Sequence, residues 1–124
     1  MPDPSEHSPA DRPFEPGEAG EIAEEMRAFA AGSRVRLLFE LRRGERSVED
    51  LATASGLDPN VVSQQLRVLR QLRFVASRRE GRRIIYRLYD HHVGELLEAV
   101  RHHYEHARRG WVAAEPTTVT ERTR

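Results

Sequence analysis

Two short motifs near the C-terminal end of the 124-residue chain, Asp90-x-His92 and His103-x-x-His106, hold residue types that ligate transition metals. The chain has no cysteine, so any bound metal must take nitrogen and oxygen ligands. The stretch around them reads as one helix, with Val93, Leu96, Leu97, Val100 and Tyr104 at helical spacing and no proline until Pro116. At ~1.5 Å rise per residue, His92 and His103 stand roughly 16 Å apart along such a helix. Ligands must lie about 2.0–2.2 Å from a zinc-type ion, so the two halves cannot share a metal within one chain. An antiparallel pair of helices can bring them together. A two-fold axis near Leu97 or Glu98 sets Asp90 and His92 of one subunit against His103 and His106 of the other, which implies a homodimer with two equivalent sites. His92, Ala99 and His103 share a helix face, and His106 joins it one turn on. Asp90 would point elsewhere on a regular helix, but an N-cap residue has non-helical dihedrals and can turn back. A blander reading uses the same residues: Asp90 caps the helix, and His103 and His106 join His102, Arg101 and Arg108 on a solvated face.

Composition narrows the field. The length suits one compact domain with tails. No segment is apolar enough to span a membrane, and no basic region followed by an apolar run opens the chain, so a cytoplasmic location is expected. The zero net charge hides an asymmetry. Residues 1–30 carry eight acids and two arginines, whereas residues 31–87 carry thirteen arginines and six acids. Every basic side chain is Arg, which suits bidentate contacts to phosphate and guanine. The basic middle is the expected partner surface.

The remaining elements follow from periodicity. Residues 1–17 hold five of the seven prolines and several acids, and are expected to form a mobile arm. Ile22, Met26 and Phe29 mark a helix over residues 18–31. A second helix, capped by Ser33 and stopped by Gly44, carries Val35, Leu37, Leu38 and Leu41. Ser47-Val48-Glu49-Asp50 resembles a capping box that opens a short helix ending at Gly56. Asp58-Pro59 starts another, with Val62, Leu66, Leu69 and Leu72 on its buried face. Two short helices joined by a tight turn read as helix-turn-helix. Residues 75–79 and 82–88 form a hairpin around Glu80-Gly81, with Ile84, Tyr86 and Leu88 alternating against Arg83 and Arg87. The fold expected is mainly α with a small β-hairpin, a winged helix-turn-helix over residues 18–110 that dimerises through its terminal helices. Residues 111–124, with Trp111, form a flexible tail.

A helix buried along Val62, Leu66 and Leu69 turns Asn60, Ser63, Gln64 and Arg67 outward. Asn and Gln pair with adenine in a major groove, Ser serves several bases, and Arg binds guanine or phosphate. Arg78, Arg79, Arg82 and Arg83 at the hairpin suit phosphate or minor-groove contacts. Helix, turn, helix and basic hairpin occur in the order of a duplex-DNA-binding module.

The segments Ser47-Val48-Glu49-Asp50-Leu51-Ala52, Val62-Ser63-Gln64-Gln65-Leu66-Arg67-Val68-Leu69-Arg70, Gly81-Arg82-Arg83-Ile84-Ile85-Tyr86-Arg87-Leu88 and Asp90-His91-His92 closely resemble the ArsR/SmtB family of metal-responsive winged-helix repressors, over residues 21–108. The terminal-helix motif resembles its zinc, cobalt and nickel sensors, which implies Asp90, His92, His103 and His106 as ligands between subunits. The resemblance also implies a repressor that binds operator DNA as a homodimer and is released by Zn(II), or by Ni(II) or Co(II). Family members with thiolate sites carry cysteines where this chain has Arg46, Ser47 and Val48. Some nickel sensors of the family add ligands from the N-terminal arm, where Asp3 and His7 stand here. The alternatives are a metal-independent regulator of the same fold, a structural zinc site, and a zinc hydrolase. The last is disfavoured because four protein ligands leave no open position.

Overall fold

The computed structural model describes residues 8–122, with side chains through Gly110. Asp3 and His7 lie outside the described residues. Five helices and three strands run in the order α1 (Glu18–Glu25), α2 (Gly32–Arg43), β1 (Arg46–Ser47), α3 (Val48–Ser55), α4 (Pro59–Gln71), β2 (Val75–Glu80), β3 (Arg83–Leu88) and α5 (His91–Arg122). The sheet is antiparallel with order β1-β3-β2. It is a wing hairpin with one short extra strand, since Arg46 pairs with Tyr86 and Ser47 with Ile85.

Local chemistry explains most boundaries. The Ser47 hydroxyl accepts the Asp50 N–H at 3.1 Å and caps α3. Gly56 ends α3 at φ +77°, a left-handed conformation that glycine adopts without a Cβ penalty. The Asp58 carboxylate accepts the Asn60 N–H at 2.7 Å, with Pro59 in the first turn of α4. Leu37, Leu38 and Leu41 of α2, Leu51 of α3, Val62, Leu66 and Leu69 of α4, Phe74, Val75, and Val93 and Leu97 of α5 make one core.

Several local details before α5 depart from the sequence expectation. The first helix breaks at Glu25 into a 3-10 turn, Met26–Phe29, and the Arg34 guanidinium takes the Arg27 carbonyl there at 2.9 and 3.2 Å. Ser33 lies inside α2 rather than capping it, because the helix starts at Gly32 after Ala31. The hairpin turns at Gly81-Arg82, one residue later than expected, since Glu80 pairs with Arg83. Tyr86 and Leu88 pack on the core as expected, but Ile84 on the same face lies near the wing tip and is 41% exposed, while Ile85 on the other face is buried.

The terminal helix decides where the candidate ligands stand. Val93 (9%) and Leu97 (0%) are buried, but Val100 (37%) and Tyr104 (53%) are exposed. Among the described side chains of α5, those of the first two turns dock on the chain's own core. Helix α5 continues to Arg122, into the segment read from sequence as a tail. Trp111 lies outside the described side chains. Ile22 and Met26 of the first helical segment are exposed as well. Within the N-terminal arm, a 3-10 turn at Pro9–Asp11 precedes a two-pronged pairing of Arg12 with the Glu18 carboxylate at 2.6 and 3.1 Å.

Two outcomes are expected. Leu97→Ala removes the deepest anchor of α5 and should lower unfolding free energy by about 2–5 kcal/mol in denaturant titration, whereas Val100→Ala in the isolated subunit should cost far less. The Glu18 carboxyl is held down at about 2 by the Arg12 hydrogen bonds first, then by the Glu15 N–H. A depressed folded-state value contributes stability above its ordinary value and loses it as pH falls toward 2. Carboxyl NMR of Glu18 should therefore show a midpoint well below the ordinary carboxylate range, and a midpoint near the ordinary value would refute the pairing.

Candidate functional site

Burial of Val62, Leu66 and Leu69 commits one side of α4 to the core, and Asn60, Ser63, Gln64 and Arg67 are exposed on the other. Ser63 and Arg67 also line, with Arg70, Gln71 and Tyr86, a polar depression of about 540 Å³ between α4 and the wing. Arg70 and Gln71 were not among the sequence candidates. Their spacing from Arg67 places them on the same outward side, and that signal was available. Gln65 turns away from this surface and accepts a hydrogen bond from Arg34 of α2 at 2.8 Å.

The four wing arginines are not equivalent. Arg83 donates to the Ser47 hydroxyl at 2.7 Å and the Asp50 carboxylate at 3.0 Å, which ties the wing to the start of α3. Arg78 pairs with Glu45 at 2.7 Å and Glu80 at 3.2 Å, and these carboxylates, Glu45 first, raise its already high pKa. Arg79 makes one long contact, 3.4 Å, to the Gly81 carbonyl. Among the described residues no hydrogen bond or ion pair holds the Arg82 side chain, which sits at the turn. The wing thus presents Arg79 and Arg82 outward and spends Arg78 and Arg83 on its own placement.

The metal candidates occupy one regular helix. Asp90 Oδ1 accepts the Val93 N–H at 3.2 Å, so Asp90 is the N-cap, and its Oδ2 lies 3.7 Å from His92 Nδ1. Asp90 and His92 therefore do turn toward each other. His103 and His106 are exposed further along α5. Within one chain the two pairs stay apart, as the helical rise requires. The donor set is all nitrogen and oxygen, which suits Zn(II), Co(II) or Ni(II). Among the described residues, the group of three donors that does come together is another one: His91, His92 and Glu95, with ligand atoms within 4.8 Å of one another. Its signal was the i, i+4 spacing of His91 and Glu95. Beside the third and fourth turns of α5, Phe29, Val35, Phe39, Val100 and Tyr104 line an apolar groove of about 830 Å³.

A helix-turn-helix with an outward polar face and an antiparallel basic wing defines a DNA-binding winged-helix protein. The family model described as "Bacterial regulatory protein, arsR family" matches residues 32–77. The HTH-type transcriptional regulator NmtR of Mycobacterium tuberculosis is 44% identical over 98 residues, covering 79% of this chain and 82% of its own length. A transcriptional repressor SmtB homolog of Synechocystis is 43% identical, over 71% of this chain and 67% of its own. Among solved structures, apo-NmtR in solution superposes with TM-score 0.65 at 42% identity, covering 82% and 85% of the two chains. A homodimeric winged helix-turn-helix DNA-binding domain from Mycobacterium bovis superposes with TM-score 0.72 at 29% identity, covering 86% and 94%. The chain belongs to the arsR family of bacterial regulatory proteins. It is a DNA-binding transcriptional regulator, and its family is one of regulators rather than enzymes.

Ser47 joins α3 to the wing through a hydroxyl that is 1% exposed and serves two partners. Ser47→Ala should lower stability by about 0.5–2 kcal/mol, the range for losing a helix cap. Thermal denaturation checks this, and an unchanged melting temperature would contradict the proposed pin.

Proposed function

We propose that the protein is a homodimeric, cytoplasmic transcriptional repressor that binds double-stranded operator DNA and releases it when Zn(II), or else Ni(II) or Co(II), is held between the terminal helices. Asp90 and His92 of one subunit and His103 and His106 of the other are the ligands of this reading. The observation that carries it is the exposure of all four on a helix that leaves Val100 and Tyr104 exposed beyond its buried first two turns, next to an apolar groove of about 830 Å³. A second copy laid antiparallel would cover Val100, Tyr104 and the groove, and would bring the two ligand pairs together. Relatives named as repressors and a solved relative named as homodimeric support it.

On the DNA side, Asn60, Ser63, Gln64 and Arg67 read base edges and phosphates from α4, and Arg79 and Arg82 reach phosphate from the wing, with Arg78 and Arg83 holding it in place. Bound between the helices, the ion supplies a cross-link that fixes their relative position. The chain itself provides a route from there to α4. Arg42 of α2 binds α5 through the Gly94 carbonyl at 3.4 Å and Glu98 at 3.1 Å, and Arg34 of the same helix holds Gln65 of α4. A change in the angle of α5 is thus carried to the recognition helices. Coupling of about 1–3 kcal/mol, or roughly 5–150-fold in operator affinity, would suffice.

One observation favours a metal-independent regulator instead: the Asp90 cap has a structural role that needs no ion. The two readings separate in fluorescence anisotropy on the protein's upstream DNA at fixed salt, first with chelator and then with each metal. On the reading proposed, Zn(II) weakens binding, and His103→Ala abolishes that response while chelated protein binds as before. Tight binding unmoved by every metal would leave only the metal-independent regulator. Gln64→Ala and Arg67→Ala should each weaken operator binding by about 1–3 kcal/mol with the metal response intact. Arg82→Ala should flatten the salt dependence by about one phosphate contact.

A further inference from the structure

We propose that His91, His92 and Glu95 form a second divalent-metal site, contained within a single subunit at the first turn of α5. One donor atom from each lies within 4.8 Å of the others. Ligands about 2.1 Å from a shared tetrahedral ion stand roughly 3.4 Å apart, so closing the set needs about an ångström of side-chain rotation. All three side chains are exposed, which leaves room for such rotation. Helical spacing favours closure: Glu95 lies one turn from both histidines, and the imidazoles already face each other with centroids 4.1 Å apart at 34°.

The surroundings leave these donors available. Arg42, which borders the same depression as His91 and Glu95, is spent on Gly94 and Glu98, and Arg87 on the carbonyls of Leu88 and Tyr89. Among the described residues no hydrogen bond or ion pair holds the His91 or Glu95 side chain. The partial positive charge of the helix start opposes a cation, but it is worth only about 0.3–1 kcal/mol at an exposed site, and the Asp90 and Glu95 carboxylates offset it. Two imidazoles and one carboxylate with open positions suit Zn(II) or a neighbouring first-row ion. His92 belongs both to this set and to the inter-subunit one, so each His92 can serve only one of them at a time. The local site needs no partner subunit and can load on a single chain.

The test uses the full chain carrying His103→Ala and His106→Ala, which disables the inter-subunit set, with Zn(II) binding measured by equilibrium dialysis. One ion per chain is expected to remain. Adding His91→Ala and Glu95→Gln should weaken that binding by about tenfold or more. All four substituted residues are exposed, so melting temperatures should stay close to that of the unaltered chain. No bound Zn(II) in the first variant, or equal binding in the second, overturns the proposal. The inter-subunit reading is judged separately: a chain with only His91→Ala and Glu95→Gln should keep metal-dependent release of DNA if that reading holds, whichever way the dialysis falls.

Discussion

A long helix can bury only as much of its length as the domain beneath it covers, and α5 is longer than that. Val93 and Leu97 reach the core, and one turn later Val100 and Tyr104 are in solvent. Isolated exposed apolar residues are ordinary, but these border a continuous groove with Phe29, Val35 and Phe39. The short anchor fixes where α5 leaves the domain, and hence where every donor on it stands. The ~1.5 Å rise then keeps Asp90 and His92 away from His103 and His106 in one chain. One geometric constraint thus produces both the exposed apolar surface and the separation of the two candidate ligand pairs, and the second copy of the proposed dimer would answer both.

Helix α2 is the element through which the others meet. Its leucines supply the centre of the core, and its arginines reach outward in three directions: Arg34 to Gln65 and the Arg27 carbonyl, Arg36 to the Ser55 carbonyl, Arg42 to Gly94 and Glu98. Exposed ion pairs such as Arg42 with Glu98 add little to stability, often less than about 1 kcal/mol. Their value here is directional. They join the start of α5 to the same helix that touches α3 and α4.

The fold was legible where local chemistry and burial agree. Ser47, Gly56, Asp58 and Pro59 mark the ends of α3 and α4 by mechanisms that act within a few residues, and the leucine spacing of α2 and α4 gives their buried faces. What escaped depends on distant partners. Strand β1 is two residues long and exists because β3 lies beside it. The break after Glu25 involves a guanidinium from α2, and the exit from α4 uses a left-handed Arg73, φ +63°, where the sequence offers no glycine. The candidate site divides the same way. The exposure of Asn60, Ser63, Gln64 and Arg67 followed from helical period alone. The pairing of Arg78 and Arg83 with acids more than thirty residues away in sequence did not, and neither did the approach of His91, His92 and Glu95.

That pairing changes what the charge of the chain's middle means. Counted in sequence, residues 31–87 have an excess of seven positive charges. In space Glu45 and Asp50 answer two of the wing arginines, and Arg34, Arg36 and Arg42 are turned onto carbonyl or carboxylate oxygens of neighbouring helices. Of the cations left facing outward, Arg67 and Arg70 lie on α4 and Arg79 and Arg82 at the wing turn. On the reading proposed, a duplex would meet these four arginines with a polar strip of Asn60, Ser63 and Gln64 beside them. Phosphate contacts from such arginines would fix orientation on the backbone, and that leaves sequence discrimination to the base-reaching side chains of α4.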